Sequence, residues 1–141
     1  MTLYAESSAV LAWLLGEPGG HHVRDLLQRA QLVMASDLLL IECDRVLIRA
    51  VTFGDIPEAA ATERRFHLNA AAARWHIFRL GPAIVERARR PFRDEPIRGL
   101  DAIHLASALA ARSAIPDVEL LTLDQRIRQA AKHLGFMIQP A

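Results

Sequence analysis

The sequence predicts an α/β domain of three layers, with helices on both faces of a central five-stranded parallel sheet. Three observations carry the prediction. Short apolar runs alternate with helical patterns from one end of the chain to the other, and such alternation implies crossover connections and parallel pairing. Hydrophobic residues make up 52% of 141 residues, enough to bury a core without disulfides or a structural metal. No Gly/Ser-rich or Pro-rich linker, internal repeat or low-complexity tract divides the chain beyond two Ala-rich helical stretches, so residues 1–141 read as a single domain.

The strand candidates are Leu3-Tyr4-Ala5, Leu32–Ala35, His76–Leu80, Glu119–Thr122 and Phe136–Ile138. Helical patterns lie between them at Ser7–Leu15, Gly20–Ala30, Asp37–Phe53, Pro57–Arg74, Pro82–Arg90, Leu100–Ser113 and Asp124–Leu134. Ser36 and Asp37 can cap the helix after the second strand, and Pro57 and Pro82 suit helix starts. Gly135 follows Lys132-His133-Leu134, a stop signal behind two side chains that suit a helix's negative end. The helix from Asp101 to Arg112 carries Ile103, Leu105, Ala106, Leu109 and Ala110 and is expected to be largely buried. An acid at its start is therefore informative.

Composition excludes several classes. Cys43 stands alone, which removes a disulfide framework and a cysteine-based zinc cluster. A formal net charge of +1 argues against a strongly basic nucleic-acid module, although it says nothing about how charges are arranged. The apolar run Ala9–Leu15 has no positive residue ahead of it and an acid at Glu6, unlike a secretory signal. It also falls far short of the roughly 20 apolar residues that span a bilayer, so a soluble cytoplasmic protein with no membrane association is expected.

Four acids fall where open α/β sheets bind ligands, beyond the carboxyl ends of strands. Glu6 follows the first strand, Glu42 lies early in the helix after the second, Asp101 opens the buried helix, and Asp124 follows the fourth strand. Each has apolar neighbours in sequence. Any one of them reads most simply as a helix cap or solvated first-turn acid. Gathered in one crevice, all four would repel one another and resist desolvation unless a cation were bound. Carboxylates without a spaced Cys or His set favour Mg²⁺ or Mn²⁺ over zinc, and such a pocket suits phosphodiester hydrolysis.

The segments Tyr4-Ala-Glu-Ser-Ser-Ala-Val10, Ser36-Asp-Leu-Leu-Leu-Ile-Glu42, Leu100-Asp-Ala-Ile-His-Leu-Ala106 and Leu121-Thr-Leu-Asp-Gln-Arg-Ile127, with Ala130–Gly135, resemble the acidic motifs of PIN-domain nucleases. Within them the chain is most similar to the VapC-type ribonuclease toxins of bacterial type II toxin–antitoxin pairs. The resemblance implies a PIN-like fold, a Mg²⁺- or Mn²⁺-dependent endoribonuclease acting through metal-activated water on RNA, a homodimer, and a cognate antitoxin. Carried over by position, Glu6, Glu42, Asp101 and Asp124 become the catalytic, metal-holding acids. Ser8 and Thr122 become hydroxyls beside them that orient a carboxylate or water. Glu6 departs from the family's usual Asp; its carboxylate sits one methylene, about 1.5 Å, further out.

Other residues have blander readings. His104, three residues after Asp101, reads as a packed histidine or one supporting the acids, since metal-activated water needs no histidine base. His21 and His22 point in different directions from the helix surface, and Cys43 is an ordinary buried thiol. Asp37 is near a cap, and Asp44 lies about 200° around the helix from Glu42, so both Glu42 and Asp44 cannot face one pocket. Asp117 and Glu119 sit at the wrong end of the sheet, and Trp13 and Trp75 read as core or interface residues. Lys132 is the only lysine among 17 basic residues. The stretch Arg87, Arg89, Arg90, Arg93 and Arg98 is either a solvated helix end or a phosphate-contacting rim. Two alternatives stay open: a catalytically weak PIN fold kept for binding, and a receiver-like phosphoacceptor, which would want an Asp where the third strand ends in Arg79-Leu80-Gly81.

Overall fold

The computed structural model describes residues 1–141. In chain order the elements are β1 (Thr2–Ala5), α1 (Ser7–Leu15), α2 (Gly20–Arg29), β2 (Leu32–Ser36), α3 (Asp37–Thr52), α4 (Glu58–Ala72), β3 (His76–Phe78), α5 (Pro82–Ala88), α6 (Gly99–Ala114), β4 (Glu119–Leu121), α7 (Gln125–His133) and β5 (Ile138–Gln139). The five strands form one sheet in the order β3-β2-β1-β4-β5. All neighbours are parallel, with Tyr4 opposite Met34 on one side and Leu120 on the other.

Strand periodicity of two sorts the side chains into two cores. Tyr4, Met34, Leu120 and Ile138 point to one face and pack with Ile84 of α5, Leu105 of α6 and Ile127 of α7. Leu3, Ala5, Val33, Ala35 and Leu121 point to the other, against Val10, Val23, Leu39 and Leu68 of α1 to α4. The chain winds outward from β1 through β2 to β3, then returns to place β4 and β5 on the opposite side of β1. Crossovers of one hand taken in opposite directions put their helices on opposite faces, which produces the three layers.

Several boundaries differ from the sequence-based expectation. The third strand stops at Phe78, before Arg79, and the last begins at Ile138 rather than Phe136. Gly135 has φ +87°, Phe136 is a buried core residue, and pairing begins only where the Met137 carbonyl accepts from the Leu120 amide. Ser36 occupies the cap position of α3 but its hydroxyl is buried without a hydrogen-bond partner. Pro57 sits at the cap of α4 rather than inside it. No helix is long and apolar enough to cross a membrane.

Strand order also decides one alternative. Receiver domains share the flavodoxin-like order 2-1-3-4-5, whereas here β2 separates β1 from β3. The order reverses between β1 and β4, and the crevice beyond their carboxyl ends is the expected ligand site.

Candidate active site

Glu6 stands in that crevice. Its amide continues the β1–β4 ladder by donating to the Leu121 carbonyl at 3.0 Å, after which the chain turns into α1 with Glu6 as the cap. The Glu6 carboxylate accepts the Ser8 amide at 3.0 Å and the Ser7 hydroxyl at 2.9 Å on Oε1. Its Oε2 accepts the Thr122 hydroxyl at 2.7 Å and the Ser8 hydroxyl. Ser8 Oγ in turn accepts the amides of Leu123 at 3.0 Å and Asp124 at 3.1 Å. The exits of β1 and β4 are thereby stitched together through one buried carboxylate and its hydroxyls.

Two helices bring further groups from either side. Glu42, in the second turn of α3, lies 2.9 Å from the same Ser7 hydroxyl, whose one proton is shared with Glu6, and 2.5 Å from His104 Nε2. His104 belongs to α6, is 3% exposed, and also faces Glu6 Oε1 at 3.8 Å. Asp101, one turn earlier on α6, is half-buried, with Arg98 Nε at 3.7 Å. Asp124 caps α7, its Oδ1 accepting the amides of Arg126 at 2.9 Å and Ile127 at 3.1 Å.

The charges of these groups are coupled. Burial raises the Asp101 carboxyl, and Asp124 and Glu6 push it further up against the opposing pull of Arg98 and His104. Burial would also raise Glu42, but the hydrogen bond and charge of His104, with Ser7, bring it below the ordinary carboxylate range. Burial would lower His104, yet Glu42, Glu6 and Asp101 hold it above the ordinary imidazole value. Imidazolium and carboxylate thus stabilise one another on one side of the crevice, while Asp101 and Asp124 share negative charge on the other.

All four expected acids, with Ser8 and Thr122, lie at this end of the sheet. Ser8 and Thr122 both bond Glu6. Ser7 and the direct bond from His104 to Glu42 were not anticipated. The spacing Asp101-x-x-His104 was the available signal, since it puts both side chains on one helical face. The rival acids are engaged elsewhere: Asp44 pairs with Arg65 of α4 at 3.3 Å, and Glu119 accepts from Gln139. Cys43 is buried, and His21 and His22 are exposed.

No three His, Cys, Asp or Glu side chains are gathered closely enough around one point to hold a metal ion. In charge and donor type, however, Glu42, Asp101 and Asp124 fit a hard divalent cation: their oxygens are carboxylate, and the raised Asp101 marks negative charge that a cation would relieve. Glu6 differs, because hydroxyls and an amide already occupy both of its oxygens.

The family model for the PIN domain matches residues 3–133. The chain is 29% identical over 141 residues to ribonuclease VapC35 of Mycobacterium tuberculosis, covering 96% of this chain and 94% of that protein. It is also 29% identical over 136 residues to ribonuclease VapC46 of the same organism, covering 96% and 95%. Among solved structures, VapBC2 from Rickettsia felis bound to a DNA fragment from its promoter superposes with a TM-score of 0.65 at 12% identity, covering 99% of this chain and 98% of that one. The chain belongs to the PIN-domain family, and the relatives it resembles within that family are VapC-type ribonucleases.

Proposed function

We propose that this chain is a single-domain endoribonuclease dependent on Mg²⁺ or Mn²⁺, acting in the cytoplasm as the toxin of a toxin–antitoxin pair. The observation that carries the reading is the convergence of Glu6, Glu42, Asp101 and Asp124, from four separate segments of a PIN-family chain, on the crevice where strand order reverses. The curated relatives are named ribonucleases, which points to RNA as substrate. An antitoxin partner and a homodimer are proposed on the resemblance to VapC-type toxins, and the Rickettsia felis structure, named as VapBC2, shares the fold.

Glu42 and Asp101 would hold the cation, Glu6 would contact it through water because its oxygens are already hydrogen-bonded, and Asp124 would complete the pocket. When bound there, a divalent cation supplies an activated water nucleophile and stabilises charge on the leaving oxygen. The chain's own contribution is positional. His104 and Ser7 fix one oxygen of Glu42, leaving the other directed away from them. Glu6, through Ser8 and Thr122, fixes the spacing of the β1 and β4 exits and hence of Asp124 relative to α1.

Cleavage of single-stranded RNA in Mg²⁺ or Mn²⁺ should fall about 100-fold or more in Glu42→Gln and in Asp101→Asn, and chelation should abolish it in the wild type. Unchanged circular dichroism would show that both variants are folded. Undiminished cleavage by both variants overturns the proposal.

A second reading, a catalytically weak PIN fold retained for binding, draws on the hydrogen-bond saturation of Glu6. A wild-type chain that binds RNA but cleaves none with either metal would favour it.

A further inference from the structure

Beside Asp101 a groove of about 700 Å³ opens between the loop that precedes α6 and the outer face of α7. Its floor is apolar, built from Leu105, Ile127 and Ala130, and Arg93, Arg98 and Arg126 stand along it. We propose that this groove is the path by which single-stranded RNA runs away from the acids, its phosphates held by those three arginines. The proposal rests on the nuclease reading and adds to it where the substrate lies.

The charges in the groove are not equally available. Both oxygens of Glu95 accept backbone amides, from Phe92 and from Ile97, each at 2.8 Å, and Asp94 is bonded to His133. Those acids are occupied within the protein. The guanidinium groups of Arg93 and Arg126, by contrast, make no hydrogen bond or ion pair, and Arg98 has only the 3.7 Å approach to Asp101. The groove thus sets three exposed arginines against three carboxylates, Asp94, Glu95 and Asp101; the first two are tied into the protein by hydrogen bonds and the third faces Arg98, so Arg93 and Arg126 are the guanidinium forks free to bind phosphate oxygens.

Position reinforces charge. Arg98 precedes Asp101 by one helical turn and Arg126 lies two residues beyond Asp124, so the cations flank the two acids that share negative charge. A phosphate held by them neighbours the reacting one. The loop is also built to keep its shape, because Phe92 is buried, Arg87 stacks over its ring at 4.0 Å, and the same Arg87 donates to the Pro91 carbonyl at 3.2 Å. This separates the arginines of that stretch: Arg87 braces the loop, while Arg93 and Arg98 face the groove. No Phe, Tyr or Trp lines it, so it would grip backbone rather than stack bases and would tolerate sequence.

The test uses the full chain carrying Glu42→Gln, which keeps the RNA intact in Mg²⁺. Its binding to a fluorescent single-stranded RNA is followed by anisotropy across a salt series. Each phosphate contact contributes about 0.7 to the slope of log affinity against log salt for a single strand. Arg93→Gln and Arg126→Gln should each weaken binding and flatten the slope by about that amount, and the pair by about twice it. Arg24→Gln, the same charge change on α2 across the sheet, should leave the slope unchanged. Slopes that do not move in the Arg93 and Arg126 variants, or that move equally in Arg24→Gln, overturn the groove while leaving the nuclease reading intact. A parent chain that binds no RNA overturns both.

Discussion

Glu6 illustrates how one side chain can serve fold and chemistry together. Four donors converge on its two oxygens, and one of them, Thr122, lies 116 residues away in sequence. Shortening it to Asp withdraws the carboxylate by about 1.5 Å, too far to keep every bond. Glu6→Asp should lower stability in a denaturant titration by about 1 to 2 kcal/mol, whereas Asp101→Asn should not, because Asp101's charge is disfavoured where it stands. A rise in cleavage by Glu6→Asp would further show that the natural residue attenuates the site. Tyr4 offers an independent check of the core beneath. Burial pushes its hydroxyl up to about 12, so the unfolded chain releases this proton first, from about pH 10. Tyr4 therefore contributes stability below pH 10 that is lost as the pH rises toward 12, by about 2 to 3 kcal/mol. Unfolding titrations at pH 8 and pH 11 should show about half of that loss in the wild type, and less in Tyr4→Phe. The acids' positions were legible in the sequence because each follows a strand or opens an apolar helix. The bonding of Glu6 and the reach of His104 to Glu42 were not, since they depend on rotamers and on helices meeting across the sheet.

Among the elements, the α1–α2 corner is the tightest. The helices approach so closely that a methyl group at Gly20 would lie 2.3 Å from the Ala12 carbonyl oxygen and 3.0 Å from the Trp13 Cα. Both obstacles are backbone and cannot swing aside. Gly20→Ala should cost about 3 kcal/mol, read as a lowered melting temperature; an unchanged one would show that the corner yields. The sequence marks Gly20 as a helix start but not as a close approach, because a missing side chain carries no periodicity. Strand ends were obscured for a related reason. Phe136 and Leu80 are apolar because they pack against the core, not because they pair in the sheet.

Across the whole molecule, the sequence carried the parallel sheet and its two helical layers through alternation and apolar runs. Strand order was not written there locally, since it depends on which side of β1 the returning chain enters. That choice creates the crevice. It also shows what a net charge of +1 conceals: acids drawn to one end of the sheet with exposed arginines beside them.

The central place of β1 has a consequence for synthesis. The first strand made is the middle strand of the sheet, and one of its two neighbours, β4, is not translated until residues 119–121. Glu6 waits on Thr122 for a hydroxyl, and Asp124 comes later still. While it is being made on the ribosome the chain cannot complete its acidic crevice until the segment through Asp124 has emerged. For a chain proposed to cut RNA, the four acids are brought together only after β4 and the start of α7 have been made.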